Sequence, residues 1–371
     1  MNRAQRSDAL HRKVRQFAGG ARDLSFVDLA LEIADFQREF SPGFARLLAR
    51  RTAPLRAAEE IPGVPCDAFR LTRVATHPEA EDCVRFATSG TTGNSRGIHA
   101  LRNVDTYRTL ALRFGRSALL GDPRPRRVVA LAPRLDDPPS SSLGYMMSLF
   151  MLDFEHSEVD ARLPERWLID ERGVNVAALE RAGRAALDAG ESLLILATSF
   201  ALVALLDTLN GRQVSSPEHT VVMQTGGFKG KTREVAPDEL RHSVAVTFAI
   251  PESQVVSEYG MTELTSQLYE ASLPGSALHA ERRGAPGIYF EPPWLQVIPV
   301  DPVGLEPVAE GEVGIARILD LGNVDSAVAI QTQDRVRRSN GGIELLGRAP
   351  GATPRGCSLA IEEFLATRHH D

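Results

Sequence analysis

The run FATSGTTGNSRG (86–97) gathers Thr88, Ser89, Gly90, Thr91, Thr92, Gly93 and Ser95, then closes with Arg96 and Gly97. Small residues let backbone N–H groups point at an anion, hydroxyls donate to it, and one cation balances its charge. The chemistry such a loop serves is phosphate binding; the bland alternative is a plain Ser/Thr/Gly turn. It is not a Walker loop. Counted from Gly90, the second glycine of G-x-x-x-x-G-K-[ST] falls on Ser95 and the lysine on Arg96. A dinucleotide G-x-G-x-x-G is absent as well.

Other residues able to do chemistry follow in a fixed order. SEYGMTE (257–263) comes first, then QTQD (331–334), then LLGR ending at Arg348. The ordered set resembles the core motifs of adenylate-forming enzymes, the superfamily of acyl-CoA synthetases and peptide-synthetase adenylation domains. VPCDAF, SSSLGYM (140–146), QTGGFKGKTREV (224–235), VVSEYGMTELTSQLYE (255–270) and RGCSL (355–359) resemble the acyl-protein synthetase (LuxE) family within it.

The resemblance implies a carboxylate attacking the α-phosphate of ATP, with Mg²⁺ present, to give acyl-AMP and pyrophosphate. It assigns Thr88, Ser89, Gly90, Thr91, Thr92, Gly93 and Arg96 to the departing phosphates. Arg96 stands where the superfamily usually has lysine; it keeps the charge and adds a fork. Tyr259 and Gly260 fall to the adenine side, with Gly226 and Gly227 as the glycine pair against the base. Thr262 falls to the α-phosphate, Glu263 to Mg²⁺, Asp334 to the ribose hydroxyls, and Arg348 to the ribose or α-phosphate. Members usually carry a further C-terminal domain with a lysine at the acyl-AMP. Only 23 residues follow Arg348 here. Either Lys229 or Lys231 stands in, or a partner helps. Cys357, in RGCSL, matches the cysteine thought to take the acyl group as a thioester; Arg355 beside it would lower its pKa. Otherwise Cys357 is a small buried residue. Cys66 and Cys83 read as core residues, and His99 and His156 as surface residues.

These residues must be held by elements, and the patterning supplies them. Ser7 is a candidate cap for a helix to about Phe17, Ser25 with Asp28 opens a second, and Ser41-Pro42 a third. VRFATS, RRVVALAP, SLLILATS, TVVMQTGG and QVVSEYG are short strands. NVDTYRTLALRF, VAALERAGRAALDAG and FALVALLDTLNG are helices between several of them. The fold class is α/β: a large adenylating domain with parallel sheets flanked by helices, plus a smaller β-rich subdomain. The expected blocks are an N-terminal helical segment (1–82), an α/β core (83–285) and a β-rich subdomain with a short tail (286–371). SFALVALL and the SSSLGYM loop are the apolar segments expected to line the acid pocket.

Composition bounds the partners. Of 371 residues, 43% are hydrophobic and 24% charged, and the net charge of -6 gives no electrostatic reason to bind nucleic acid. The longest apolar run, 192–206, is shorter than the ~20 residues of a membrane span. Three widely spaced cysteines suggest neither a disulfide framework nor a zinc site, so a cytoplasmic protein is expected. The implied substrate is a carboxylic acid, either a long-chain fatty acid or an aryl or heteroaryl acid of antibiotic (phenazine-like) biosynthesis. The implied acyl acceptor is the protein's own thiol, a reductase or a carrier protein. The rival classes are a nucleotide-binding module without turnover and a phosphotransferase.

Overall fold

The computed structural model describes residues 1–49, 54–88, 96–155, 164–226, 235–348 and 364–365. The chain forms two compact units that do not follow linear blocks. The first comprises 1–111, 261–266 and 291–371; the second comprises 112–260 and 267–290. The N-terminal helical segment therefore belongs to the same unit as the C-terminal strands.

The second unit is built on a sheet. Its strands Val255–Tyr259, Val221–Thr225, Ser192–Thr198, Arg126–Pro133 and Trp167–Asp170 lie side by side and parallel. Antiparallel strands Leu268–Glu270 and Ile288–Phe290 extend one side, and Gly173–Val174 the other. The strand sequences are nearly continuous Val, Leu, Ile and Ala because both faces are covered. Val129, Leu131, Ile195, Ala197, Val222 and Val255 pack with Leu179, Leu202, Leu205, Leu240 and Phe248 of helices Val176–Ala189, Ser199–Leu209 and Pro237–Phe248. The alternate residues Val128, Ala130, Leu194, Leu196, Met223 and Val256 are buried too. Each Val, Leu, Ile, Met or Phe among them contributes roughly 1.5–3 kcal/mol on burial. SSSLGYM is not a loop: Ser141 accepts from Gly144 N at 3.0 Å and caps a helix, Ser142–Phe154. Its mixture of serines and continuous apolar residues hides the helical period.

The first unit carries an antiparallel meander, Leu295–Val300, Val313–Asp320, Ala329–Ser339 and Gly342–Arg348, with Val64–Pro65 parallel to Ala329–Ser339. Asn340 and Gly341 both have positive φ (52° and 73°), the backbone of a two-residue hairpin whose twist matches its strands. VRFATS does not join the parallel sheet. Val84–Ala87 pairs antiparallel with Ile98–Leu101 in a separate two-stranded ribbon.

The N-terminal helices of this unit are Arg3–Ala18, Phe26–Phe40 and Pro42–Ala49. Ser25 caps the second, accepting from Asp28 N. Ser7 caps nothing; Asn2 and Gln5 form the capping box, and Ser7 lies buried inside the helix with its hydroxyl on Asp325 Oδ1 at 2.6 Å. His11 Nε2 reaches Asp325 Oδ2 at 2.8 Å and Arg102 Nε lies 3.4 Å from it. Burial alone would push Asp325 up; these partners together hold it well below the carboxylate range. Gln37 donates to the carbonyls of Asn323 and Val324 and accepts from Val328 N, which fixes the 320–328 segment on the second helix. Among the described residues, no helix is long and apolar enough to cross a membrane.

Candidate active site

In the first unit the run expected to bind phosphate is flanked by two paired strands. Ala87 and Ile98 are register partners, Thr88 N donates to Gly97 O at 2.9 Å, and Gly97 N donates to Thr88 Oγ1 at 3.0 Å. A β-carbon on Gly97 would stand 3.1 Å from Thr88 Cγ2 and 3.5 Å from Arg70 N, so the strands approach closely here. Arg96 is exposed at the loop's end. Ser89, Gly90, Thr91, Thr92 and Gly93 lie outside the described residues.

Thr262 and Glu263 sit in a turn (261–266) of the same unit, with Leu264 N on Met261 O at 3.1 Å. The turn is gripped by its backbone. Asn323 Nδ2 donates to Glu263 O at 2.9 Å, and Thr265 N donates to Asp320 Oδ2 at 2.8 Å. Ser266 Oγ donates to Asp320 Oδ1, also at 2.8 Å. Burial pushes the Asp320 carboxyl up, and these donors work against that. The Glu263 side chain is buried.

His99, expected at the surface, is buried instead. Its Nδ1 lies 2.8 Å from Thr262 O and its Nε2 2.9 Å from Ser326 Oγ. In the strand IHAL a histidine reads as the solvent-side residue; its partners are 163 and 227 residues away and leave no local signal.

The last two motif residues meet across neighbouring strands. Gly347 takes φ +76°, the strand bulges, and Arg348 comes opposite Asp334, Nε to Oδ1 at 3.3 Å. Close by is Cys66, whose thiol donates to Gln331 O at 3.3 Å. Burial raises the Cys66 thiol pKa, and the charges of Glu263, Asp334 and Asp67 raise it further, with Arg348 opposing. One thiol thus senses Glu263, Asp334 and Arg348 together. Cys66 is half-buried rather than a core residue, and Cys83 is exposed at the start of the ribbon. His156, Lys229, Lys231, Gly227 and Cys357 lie outside the described residues.

In the second unit, Gly226, Tyr259 and Gly260 lie at the carboxyl ends of two adjacent parallel strands, where ligands bind in such sheets. Gly226 has φ +74°, and Ser199 Oγ donates to its carbonyl at 2.6 Å. Between them lies a residue the sequence did not single out. Glu258 is 4% exposed, register partner of Thr225, and accepts from the Thr225 hydroxyl. Burial pushes its carboxyl up to about 7 despite that hydrogen bond. A β-carbon at Gly260 would stand 2.5 Å from Glu258 Oε1.

A stability consequence follows. The folded pKa exceeds that of an unfolded glutamate, so the native state binds the extra proton. Stability should fall as pH rises from about 4.5 to about 7 and level off above. Glu258→Gln keeps an acceptor for Thr225 and removes the buried charge. It should raise the melting temperature at pH 8, by on the order of 2 kcal/mol in stability, and change little at pH 5. Equal shifts at both pH values would remove Glu258 ionisation as the cause.

The two apolar segments expected to line a pocket do meet around one cavity. It measures about 220 Å³ and is lined by Leu131, Leu135, Leu143, Gly144, Thr198 and Phe200, among others. It too sits at the carboxyl ends of parallel strands, here Arg126–Pro133 and Ser192–Thr198.

With this geometry in place, comparison with known proteins is informative. The sequence model of the family "Acyl-protein synthetase, LuxE" matches residues 56–366. The long-chain-fatty-acid–luciferin-component ligase of Vibrio harveyi is 22% identical over 325 residues, covering 84% of this chain and 79% of that protein. Among solved structures, 2-hydroxyisobutyryl-CoA ligase with 2-HIB-AMP and CoA in its thioesterification state aligns with TM-score 0.57 and 13% identity. That match covers 94% of this chain and 69% of the other; the open conformation gives TM-score 0.56 and 12% identity, covering 94% and 76%. ATP-bound MatB from Rhodopseudomonas palustris gives TM-score 0.48 at 14% identity, over 74% of this chain. The chain spans about half the length of MatB, 49%. At these identities the two 2-hydroxyisobutyryl-CoA ligase structures speak to fold alone.

Proposed function

We propose, since this chain belongs to the LuxE acyl-protein synthetase family, that it activates a carboxylic acid with ATP and passes the acyl group to a protein thiol. The observation that carries the adenylation reading is the bond from His99 to Thr262 O. It ties the strand leaving the phosphate loop to the turn bearing Thr262 and Glu263, two motifs far apart in the chain and close in one unit.

The residues present suit the groups such a reaction needs. Glu263 offers one buried carboxylate, and among the described residues no three His, Cys, Asp or Glu side chains form a metal cage of their own. Mg²⁺ fits that donor set, because it takes one or two carboxylates and completes its shell with phosphate oxygens and water. When bound, it would offset the negative charge of the phosphates. Thr88 and Arg96 stand at the two ends of the loop assigned to the β- and γ-phosphates. Asp334, whose carboxylate accepts from Arg348 Nε, would accept from the ribose hydroxyls. In the second unit the cavity by Phe200 would hold the acid's apolar body, and Tyr259 would stack on the base.

The chemistry then needs little covalent help. A carboxylate oxygen attacks the α-phosphorus, the bond to the bridging oxygen breaks, and pyrophosphate leaves with the electron pair. Holding two anions in line is the main task, and the anchored turn and the paired strands flanking the loop serve it. In the second step a thiolate attacks the acyl carbon and AMP leaves. The acid is either a fatty acid or an aryl acid; the family and the Vibrio relative favour the former.

Acid-dependent exchange of labelled pyrophosphate into ATP tests this reading, run across fatty and aryl acids. Exchange with one class identifies adenylation and its substrate together. ATP binding without exchange would make the protein a nucleotide-binding module. ADP formation would make it a phosphotransferase.

A further inference from the structure

Thr262 O is an acceptor only, so the proton of His99 must sit on Nδ1 and point at it. Nε2 is then the acceptor, and the Ser326 hydroxyl donates to it. Both bonds are of ordinary length, and the ring is closed in by Phe69, whose ring stands edge-on at 5.7 Å and 81°. Burial lowers the imidazole pKa to about 4, so the ring is neutral near pH 7 and this one tautomer holds. The ring spans two backbones that both lead to the site. Its own strand begins two residues after Arg96; Thr262 precedes Glu263. Ser326 belongs to the segment that also supplies Asp320 and Asn323 to the same turn. His99 is thus the strut from the phosphate loop to that clamp.

We propose that His99 is a positioning residue for adenylation: its imidazole fixes the Thr262–Glu263 turn at a set distance from the base of the phosphate loop. This rests on the adenylation reading above. The physical reason is reach. The α-phosphate, assigned to Thr262, and the departing phosphates, assigned to the loop, are joined by P–O–P links of short, fixed reach. In-line attack needs both ends held in register, and an error of ~1 Å in such alignment can cost on the order of a hundredfold in rate. Binding is less demanding, because each half of the nucleotide can still be held by its own segment. Loss of the strut should therefore act on the chemical step more than on affinity.

The substitutions separate the two bonds. His99→Leu removes both. His99→Asn keeps an amide N–H as many bonds from the backbone as Nδ1, and so retains the contact to Thr262 O. Ser326→Ala removes only the Nε2 partner. Single-turnover formation of acyl-AMP should slow about tenfold or more in His99→Leu. The Kd for ATP, measured by calorimetry on folded protein, should stay within about threefold in the same variant. His99→Asn should recover most of the rate, and Ser326→Ala should be slowed less than His99→Leu. If His99→Leu does not fold, His99→Gln takes its place, since its longer amide reaches toward Ser326 and leaves Thr262 O unpaired. Wild-type rates in His99→Leu, a loss confined to ATP affinity, or an Asn variant as slow as the Leu one would each overturn the proposal. Absence of acid-dependent exchange in the wild type itself is a different result. It sinks the adenylation reading and this inference with it, whereas normal wild-type exchange with unaffected variants sinks this inference alone.

Discussion

Replacing Glu263 by glutamine should cut acid-dependent pyrophosphate exchange more than tenfold and leave the fold intact. The turn that carries Glu263 is held through its main chain, by Asn323, His99 and Asp320, so the isosteric side chain changes none of those bonds. What changes is charge. A buried carboxylate becomes a neutral amide, and one of the three carboxylates that act on the Cys66 thiol is lost. Its loss should leave the melting temperature near that of the wild type. Function should fall, because a hard cation loses its charged ligand. Mg²⁺-dependent ATP binding, followed by calorimetry, should weaken in the variant, while ATP binding without Mg²⁺ should not. This pairing separates a metal ligand from a residue that shapes the turn. Wild-type exchange in Glu263→Gln would take Glu263 out of the mechanism.

The elements of this fold were legible where burial is two-sided or where a turn demands a residue type. Arg126–Pro133, Ser192–Thr198, Val221–Thr225 and Val255–Tyr259 read as strands because helices cover both faces and leave runs of Val, Leu and Ile. The meander was readable only as a strand-rich C-terminal subdomain, because its last two strands are partly exposed and lack a continuous apolar run. Failures came where partners lie far off in the chain. Ser7 looked like a cap because serine favours caps, yet its partner is Asp325, 318 residues on. Cys83 looked apolar by residue type but precedes a ribbon strand with one exposed edge. The order of the site motifs was readable, and so were the bulge-forming Gly347 and its neighbour Arg348. The supports were not. Asp320, Asn323, Ser326 and His99 act through backbone carbonyls and amides, and such contacts have no signature in sequence spacing. Glu258 was hidden differently: it sits inside a recognised motif, but only the sheet register shows that it is buried against Thr225.

Thioester formation should be lost entirely in Cys357→Ala, while adenylation continues. The two steps use different nucleophiles, a carboxylate oxygen and then sulfur, so one can be removed without the other. The structure sharpens the experiment through the other two cysteines. Cys66 is nearest to the motif residues, but burial and three carboxylates push its thiol pKa up, which leaves little thiolate at neutral pH. Cys83 is exposed, so of the two described cysteines it is the more open to adventitious acylation, and Cys83→Ala serves as the control. Radiolabelled acid with ATP should leave label on the denatured wild type and on Cys83→Ala, released by neutral hydroxylamine as thioesters are. Cys357→Ala should carry none and should keep acid-dependent pyrophosphate exchange. Labelling should rise with pH until the Cys357 thiol is ionised, since the thiolate attacks; with Arg355 two residues away in sequence, the midpoint of that rise should fall below the ~8.5 of a free cysteine. Full labelling of Cys357→Ala would make Cys357 structural. A wild type that exchanges but never labels would place the acyl acceptor on another molecule, and the thiol step would then belong to a carrier or a reductase.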